Sequence, residues 1–153
     1  MITHTPPPVY STGFSLIDLM ITIVIASVLA AMAIPVYRNH MQQSRITEAT
    51  SQLSILQLQL EQYYQDNRLY GMGADGTNCG ILLPTQNNFI FTCKIENKGQ
   101  SYLLMASGID GQGMQEFKFD VNEAGLKRTV NMPIGWGDKP VNCWVIKSGA
   151  LCQ

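Results

Sequence analysis

From Phe14 to Tyr37 the chain is largely apolar and carries one acidic residue, Asp18, close behind its start. Wound as a helix at about 1.5 Å per residue, this stretch reaches roughly 36 Å, enough to cross a hydrocarbon core of about 30 Å. An ionised Asp inside such a span costs on the order of 2.5–3.5 kcal/mol at the bilayer centre and less near its edge. Asp18 therefore needs a cation.

The remainder is small. In a chain of 153 residues there is room for one domain beside the helix, and the 46% hydrophobic content serves both. All ten Lys and Arg lie between Arg38 and Lys147, and every acid except Asp18 falls between Glu48 and Asp138. That domain is near neutral and gives no support for a polyanion surface. Lys94, Lys98, Lys127, Arg128 and Lys139 are the cations a nucleic acid would use, and in sequence they read as a scattered solvated surface.

Four cysteines, Cys79, Cys93, Cys143 and Cys152, fit two disulfides in an oxidising compartment. Three pairings exist. Nearest neighbours, Cys79 with Cys93 and Cys143 with Cys152, are favoured because each closes a short loop, worth roughly 3 kcal/mol in the chain-entropy model. A zinc site is a poor fit, since there is no C-x-x-C pair and the histidines are His4 and His40.

Past Pro35 the helix is expected to continue. Ile46, Ala49, Leu53, Leu56, Leu60 and Tyr63 recur at steps of three and four, an amphipathic stripe expected to pack on the chain's own sheet rather than on a partner helix. The helix exits through 65–71, and 71–76 reads as a turn, not a phosphate loop, because no G-K-[ST] follows. From Cys79 to Gly99 a mixed connection is expected, with a short apolar piece at Phe89–Phe91. Strands are expected at 101–107, 115–121 and 126–132, the middle one alternating Phe117, Phe119 and Val121 against Lys118 and Asp120. Helix then antiparallel meander is an α+β arrangement. The tail from Gly135 to Cys152 is expected to be a loop.

The segment Gly13-Phe14-Ser15-Leu16-Ile17-Asp18-Leu19-Met20 resembles the class III signal of type IV prepilins and the related secretion pseudopilins, whose pattern is Gly, Phe, Thr or Ser, Leu, Ile, Glu, Leu, followed by an apolar helix with a Pro, here Pro35. The resemblance covers the whole length in plan, while only 13 to about 37 is diagnostic. It implies cleavage by a prepilin peptidase between Gly13 and Phe14, N-methylation of Phe14, and subunit docking through Asp18, which stands where the family has Glu and is one methylene shorter. It further implies a leader at 1–13, a membrane and filament-core helix at 14–37, and at 38–153 the amphipathic continuation with a globular head. Its partners would be other pilin subunits, the peptidase, the inner-membrane pilus assembly machinery and, before assembly, the membrane. The subunit would sit in the inner membrane with its head in the periplasm and then pass into an extracellular filament. No cofactor and no enzymatic activity are implied. A minor pilin is the nearest role, a major pilin the next, and a type II secretion pseudopilin the third.

Two features pull against this. The leader lacks Lys and Arg whereas Arg38 and Arg45 follow the span, so the positive-inside rule alone would hold the head in the cytoplasm. Paired cysteines and the prepilin signal outweigh it, and an upstream start supplying basic residues would remove the conflict. Ala31-Met32-Ala33 also has the A-x-A form of a signal peptidase site, which would release a secreted periplasmic binding or adhesion domain at Ile34. That alternative leaves Gly13 and Asp18 unexplained. Catalytic readings lack residues: a Ser-His-Asp or Cys-His site would need His40 at the membrane edge, and Asp75 and Asp110 are single acids in glycine-rich turns.

Overall fold

The computed structural model describes residues 13, 15–72 and 78–149. The chain divides into two compact units, Met1–Arg38 and Asn39–Gln153, and one helix, α1 (Leu16–Asn67), gives residues to each. Pro35 lies inside α1 without ending it.

In the first unit the apolar side chains have nothing to bury against. Between Leu16 and Tyr37 the large ones are 52% to 76% exposed. The polar side chains fold back on the backbone: the Thr22 hydroxyl donates to the Leu19 carbonyl at 2.8 Å, and Ser27 to Val24 at 2.8 Å. Such back-bonding leaves these two hydroxyls satisfied within an otherwise apolar surface.

In the second unit the expected stripe is the core face of the helix. Ile46, Ala49, Leu53, Leu56 and Leu60 are all at 0–1% exposure, each burial stabilising by roughly 1.5–3 kcal/mol for a large aliphatic side chain. Thr50 joins them because its hydroxyl is satisfied by the Ile46 carbonyl at 3.0 Å. Tyr63 is half-buried and lies flat on Gly80, where a Cβ would overlap its ring.

Opposite stands a four-stranded antiparallel sheet in the order β3 (Phe89–Glu96), β4 (Ser101–Gly108), β5 (Lys118–Asn122), β6 (Lys127–Asn131). Phe91, Leu104, Ala106, Phe119 and Val121 share the core with the helix stripe, so the architecture is the expected α+β. A second, two-stranded sheet pairs β1 (Gly71–Met72) with β2 (Asn78–Cys79), and a disulfide joins Cys79 to Cys93 across 6.1 Å between Cα atoms. Cys143 is not a free thiol, while its expected partner Cys152 lies outside the described residues.

Several boundaries differ from expectation. The stretch at Phe89–Phe91 opens a full edge strand, with Phe89, Phe91, Cys93 and Ile95 alternating inward and pairing all along β4. The strand expected from 115 starts at Lys118, because the Phe117 amide closes a turn on the Met114 carbonyl at 2.9 Å. The strand expected over 126–132 is β6, one residue shorter at each end. The amides of Gly125 and Leu126 bond the carbonyl and side chain of Asn122, both at 2.9 Å, which keeps Leu126 in the turn. The expected turn at 71–76 opens as β1, and 73–77, with Asp75, lie outside the described residues.

The tail is more than a loop. Thr129 and Val141 exchange backbone hydrogen bonds at 2.9 and 3.2 Å, laying the tail against β6. The Thr129 hydroxyl then donates to the Cys143 carbonyl at 2.6 Å and accepts from the Val145 amide at 2.9 Å. Trp144 and Val145 are thereby buried, and the Trp144 indole N–H donates to the Asp120 carbonyl at 2.9 Å. At the other edge, Thr85 bridges Ile90.

Candidate functional site

Helix α1 begins at Leu16, which makes Ser15 its N-cap and Asp18 the third residue of its first turn. The Asp18 carboxylate reaches back to accept the Ser15 amide at 3.3 Å, while the Ser15 carbonyl accepts from the Leu19 amide at 3.3 Å. Ser-x-x-Asp is the spacing of a capping box, and a carboxylate there also meets the positive end of the helix dipole. The sequence asks for a cation at Asp18, whereas the nearest donor is the Ser15 amide, at a spacing already legible in the sequence. Gly13 is exposed and non-helical. Phe14 lies outside the described residues, so the structure gives no geometry for the Gly13–Phe14 bond.

The head's polar chemistry gathers in two places. Between helix and sheet, Glu61 accepts hydrogen bonds from Tyr70 at 3.1 and 3.2 Å and from Tyr102 at 3.2 Å. Burial, followed by the bond to Glu61 and its charge, pushes the Tyr70 phenol up to about 12. Tyr102 is raised further, by burial, then the charge of Glu61, then its bond. Tyr70 also stacks on Tyr64 at 4.5 Å and meets Tyr102 edge-on at 4.7 Å. This is a helix-to-sheet latch.

The other place is the sheet face turned away from the helix. Side chains directly opposite on antiparallel strands share a face, so the register builds rows. One row runs Thr92, Met105, Asp120, Arg128 and the next runs Ile90, Ser107, Lys118, Asn131. In the first row Arg128 grips Asp120 with two bonds, at 2.9 and 2.6 Å, which satisfies a carboxylate only 3% exposed and raises the guanidinium pKa. In the second, Asn131 Oδ1 accepts from the Lys139 ammonium at 2.6 Å, and Met132 O accepts from it at 3.3 Å.

Of the five cations read as scattered, Arg128 stands opposite Asp120, which matches its charge, and Lys139 bonds Asn131, opposite which stands a further cation, Lys118. Its signal was the alternation that set Lys118 and Asp120 against Phe119. Lys127 turns to the other side and lies 4.6 Å over the Trp144 ring. Lys94 is paired with Glu96 at 2.6 Å, and Lys98 occupies a left-handed turn at φ 55°. Among the described residues no group of His, Cys, Asp and Glu is arranged to hold a metal ion.

Residues 35–116 match the family described as type IV minor pilin ComP, DNA uptake sequence receptor. The chain is 28% identical over 95 residues to the fimbrial protein EcpC of Eikenella corrodens, covering 62% of this chain and 61% of that protein. It is 26% identical over 109 residues to the type II secretion system core protein G of Pseudomonas aeruginosa, covering 65% and 77%. The match to EcpC spans less than two-thirds of that protein's own length. A type IV pilin from Shewanella oneidensis superposes with a TM-score of 0.46 at 18% identity, over 56% of this chain and 89% of that one.

Proposed function

The chain belongs to the type IV minor pilin family, whose model spans more than half of it, and from this we propose that it is a structural subunit of a type IV pilus, held in the inner membrane and then drawn into an extracellular filament. The supporting observation is the contrast along α1. Its apolar residues from Leu16 to Tyr37 stand exposed in the first unit, whereas Ile46 to Leu60 are spent on the head's own core. An unburied surface of this size requires lipid before assembly and neighbouring helices after it. A prepilin peptidase would cut between Gly13 and Phe14 and methylate Phe14, and a neighbour's new amine would reach Asp18. Assembly would use other pilins and the inner-membrane machinery, with a second disulfide, Cys143–Cys152, in a periplasmic head.

The secreted-domain alternative needs cleavage after Ala33, and α1 runs through 31–34 without interruption. The pseudopilin alternative draws on the likeness to core protein G. Mass spectrometry of the mature amino terminus separates the first: methylated Phe14 is expected, and Ile34 would replace the pilin role with a secreted one. Recovery in sheared pili, rather than dependence on a secretion apparatus, separates the second.

A finer role is DNA capture, favoured by the family's description and by Lys118 and Lys139, which are both placed at Asn131 on the outer sheet face. Phosphate contacts from such cations make affinity fall steeply with salt. Binding of the full-length chain in detergent to duplex DNA, measured across a salt series, tests it; an absence of binding at low salt would remove this role.

A further inference from the structure

Ile134 is wholly exposed, at 101% of its reference area. The loop that carries it is nonetheless held on every side. Met132 before it is buried, the Trp136 amide bonds the Pro133 carbonyl at 3.2 Å, and the Trp136 ring packs edge-on against Phe117 at 4.8 Å. The Lys139 ammonium ties the loop's far side to Asn131 and Met132, and the Ser148 hydroxyl donates to the Gly135 carbonyl at 3.4 Å. An aliphatic side chain is thus displayed on a fixed support.

The surroundings narrow what could receive it. Lys139 lies on the loop, Lys118 stands opposite Asn131 at its base, and Lys147 precedes the Ser148 that braces it. None of the three has an ion-pair partner among the described residues, and Asp138 is the loop's one acid. Cores of protein interfaces are depleted of Lys, whereas proteins that unstack DNA set a single aliphatic wedge among cations that hold the phosphates.

We propose that Ile134 is a wedge that enters a groove of duplex DNA and partly unstacks one base step, with Lys118 and Lys139 on the flanking phosphates. This rests on the DNA-capture role above and adds the mode of contact. Flexible pyrimidine–purine steps are the preferred entry point, since they cost least to open.

The test uses the full-length protein in detergent with a short mixed-sequence duplex carrying 2-aminopurine in its TA steps. Wild-type protein should raise the 2-aminopurine fluorescence on binding. Ile134→Ser, a change at a fully solvated position, should abolish that rise and weaken binding about tenfold, within the range of one lost base-step contact, with the salt dependence unchanged. Lys118→Gln with Lys139→Gln should instead flatten the salt dependence. If wild-type protein binds but Ile134→Ser binds equally with the same fluorescence rise, the wedge is wrong and DNA capture stands. If wild-type protein binds no duplex at low salt, both fall.

Discussion

Arg45 donates from its guanidinium to the carbonyl of Gln112 at 2.7 Å, tying the helix to the loop between β4 and β5. Gln42 repeats the contact one turn earlier, at 3.4 Å to Gly113. Arg45 therefore has a structural task within the head, although a bond to a neutral carbonyl leaves its positive charge in place. Arg45→Met is expected to destabilise the head by about 1–2 kcal/mol, the net worth of a partly solvated charged hydrogen bond, without changing which side of the membrane the head occupies. Urea unfolding and a periplasmic alkaline phosphatase fusion read the two halves; an inverted fusion would show that Arg45 does act in topology.

For Asp18, the amide of its own Ser15 eases the cost of a carboxylate in the helix before any neighbour arrives. If a neighbour's amine docks on this carboxylate as proposed above, Asp18→Ala, which loses the capping contact as well, should still insert and be cleaved after Gly13 yet enter filaments poorly. Asp18→Glu should assemble at least as well as wild type. Immunoblots of sheared filaments decide this, and equal incorporation of the Ala variant would end any docking role.

The Asp120–Arg128 pair sits asymmetrically, with the carboxylate buried and the guanidinium 40% exposed. Removing the cation strands the carboxylate. Arg128→Met should cost about 2–3 kcal/mol, below the 3–5 typical of a fully buried pair because solvent reaches one side. Adding Asp120→Asn should recover part of the loss. A double-mutant cycle by urea denaturation measures it, and strict additivity would mean the pair contributes nothing.

Tyr70 and Tyr102 bind their protons more tightly folded than unfolded, where the ordinary value is 10.0. Their contribution to stability is therefore complete below about pH 10; that of Tyr70 is lost as pH rises through about 12, and that of Tyr102 at still higher pH. Phenolate absorbance during alkaline titration should show two of the tyrosines resisting ionisation until the head unfolds. Ionisation of all of them near pH 10 in folded protein would contradict the latch.

What the sequence reveals depends on how local the deciding physics is. The stripe from Ile46 to Leu60 is legible because one helix period suffices to define a buried face. Only the aromatic start of strand β3 stands out in the sequence, although Phe89, Phe91, Cys93 and Ile95 alternate, because Lys94 and Glu96 make its outer face look like a polar loop until β4 pairs with it. Alternation correctly turned Asp120 away from the helix. That it is nevertheless buried depends on Arg128, which the Asn122–Gly125 turn brings opposite. Lys118 and Lys139 meet only through Asn131, a relation fixed by the register shift between β5 and β6 and invisible to either segment alone.

Both outer strands of the sheet are already engaged where another chain would begin to pair: Thr85 occupies β3 at Ile90, and Val141 occupies β6 at Thr129. An uninterrupted edge would offer a ladder of open amides and carbonyls to any neighbour of the same kind. Each bridge holds a single residue pair, so a second sheet that tried to run along either edge would first have to displace Thr85 or Val141.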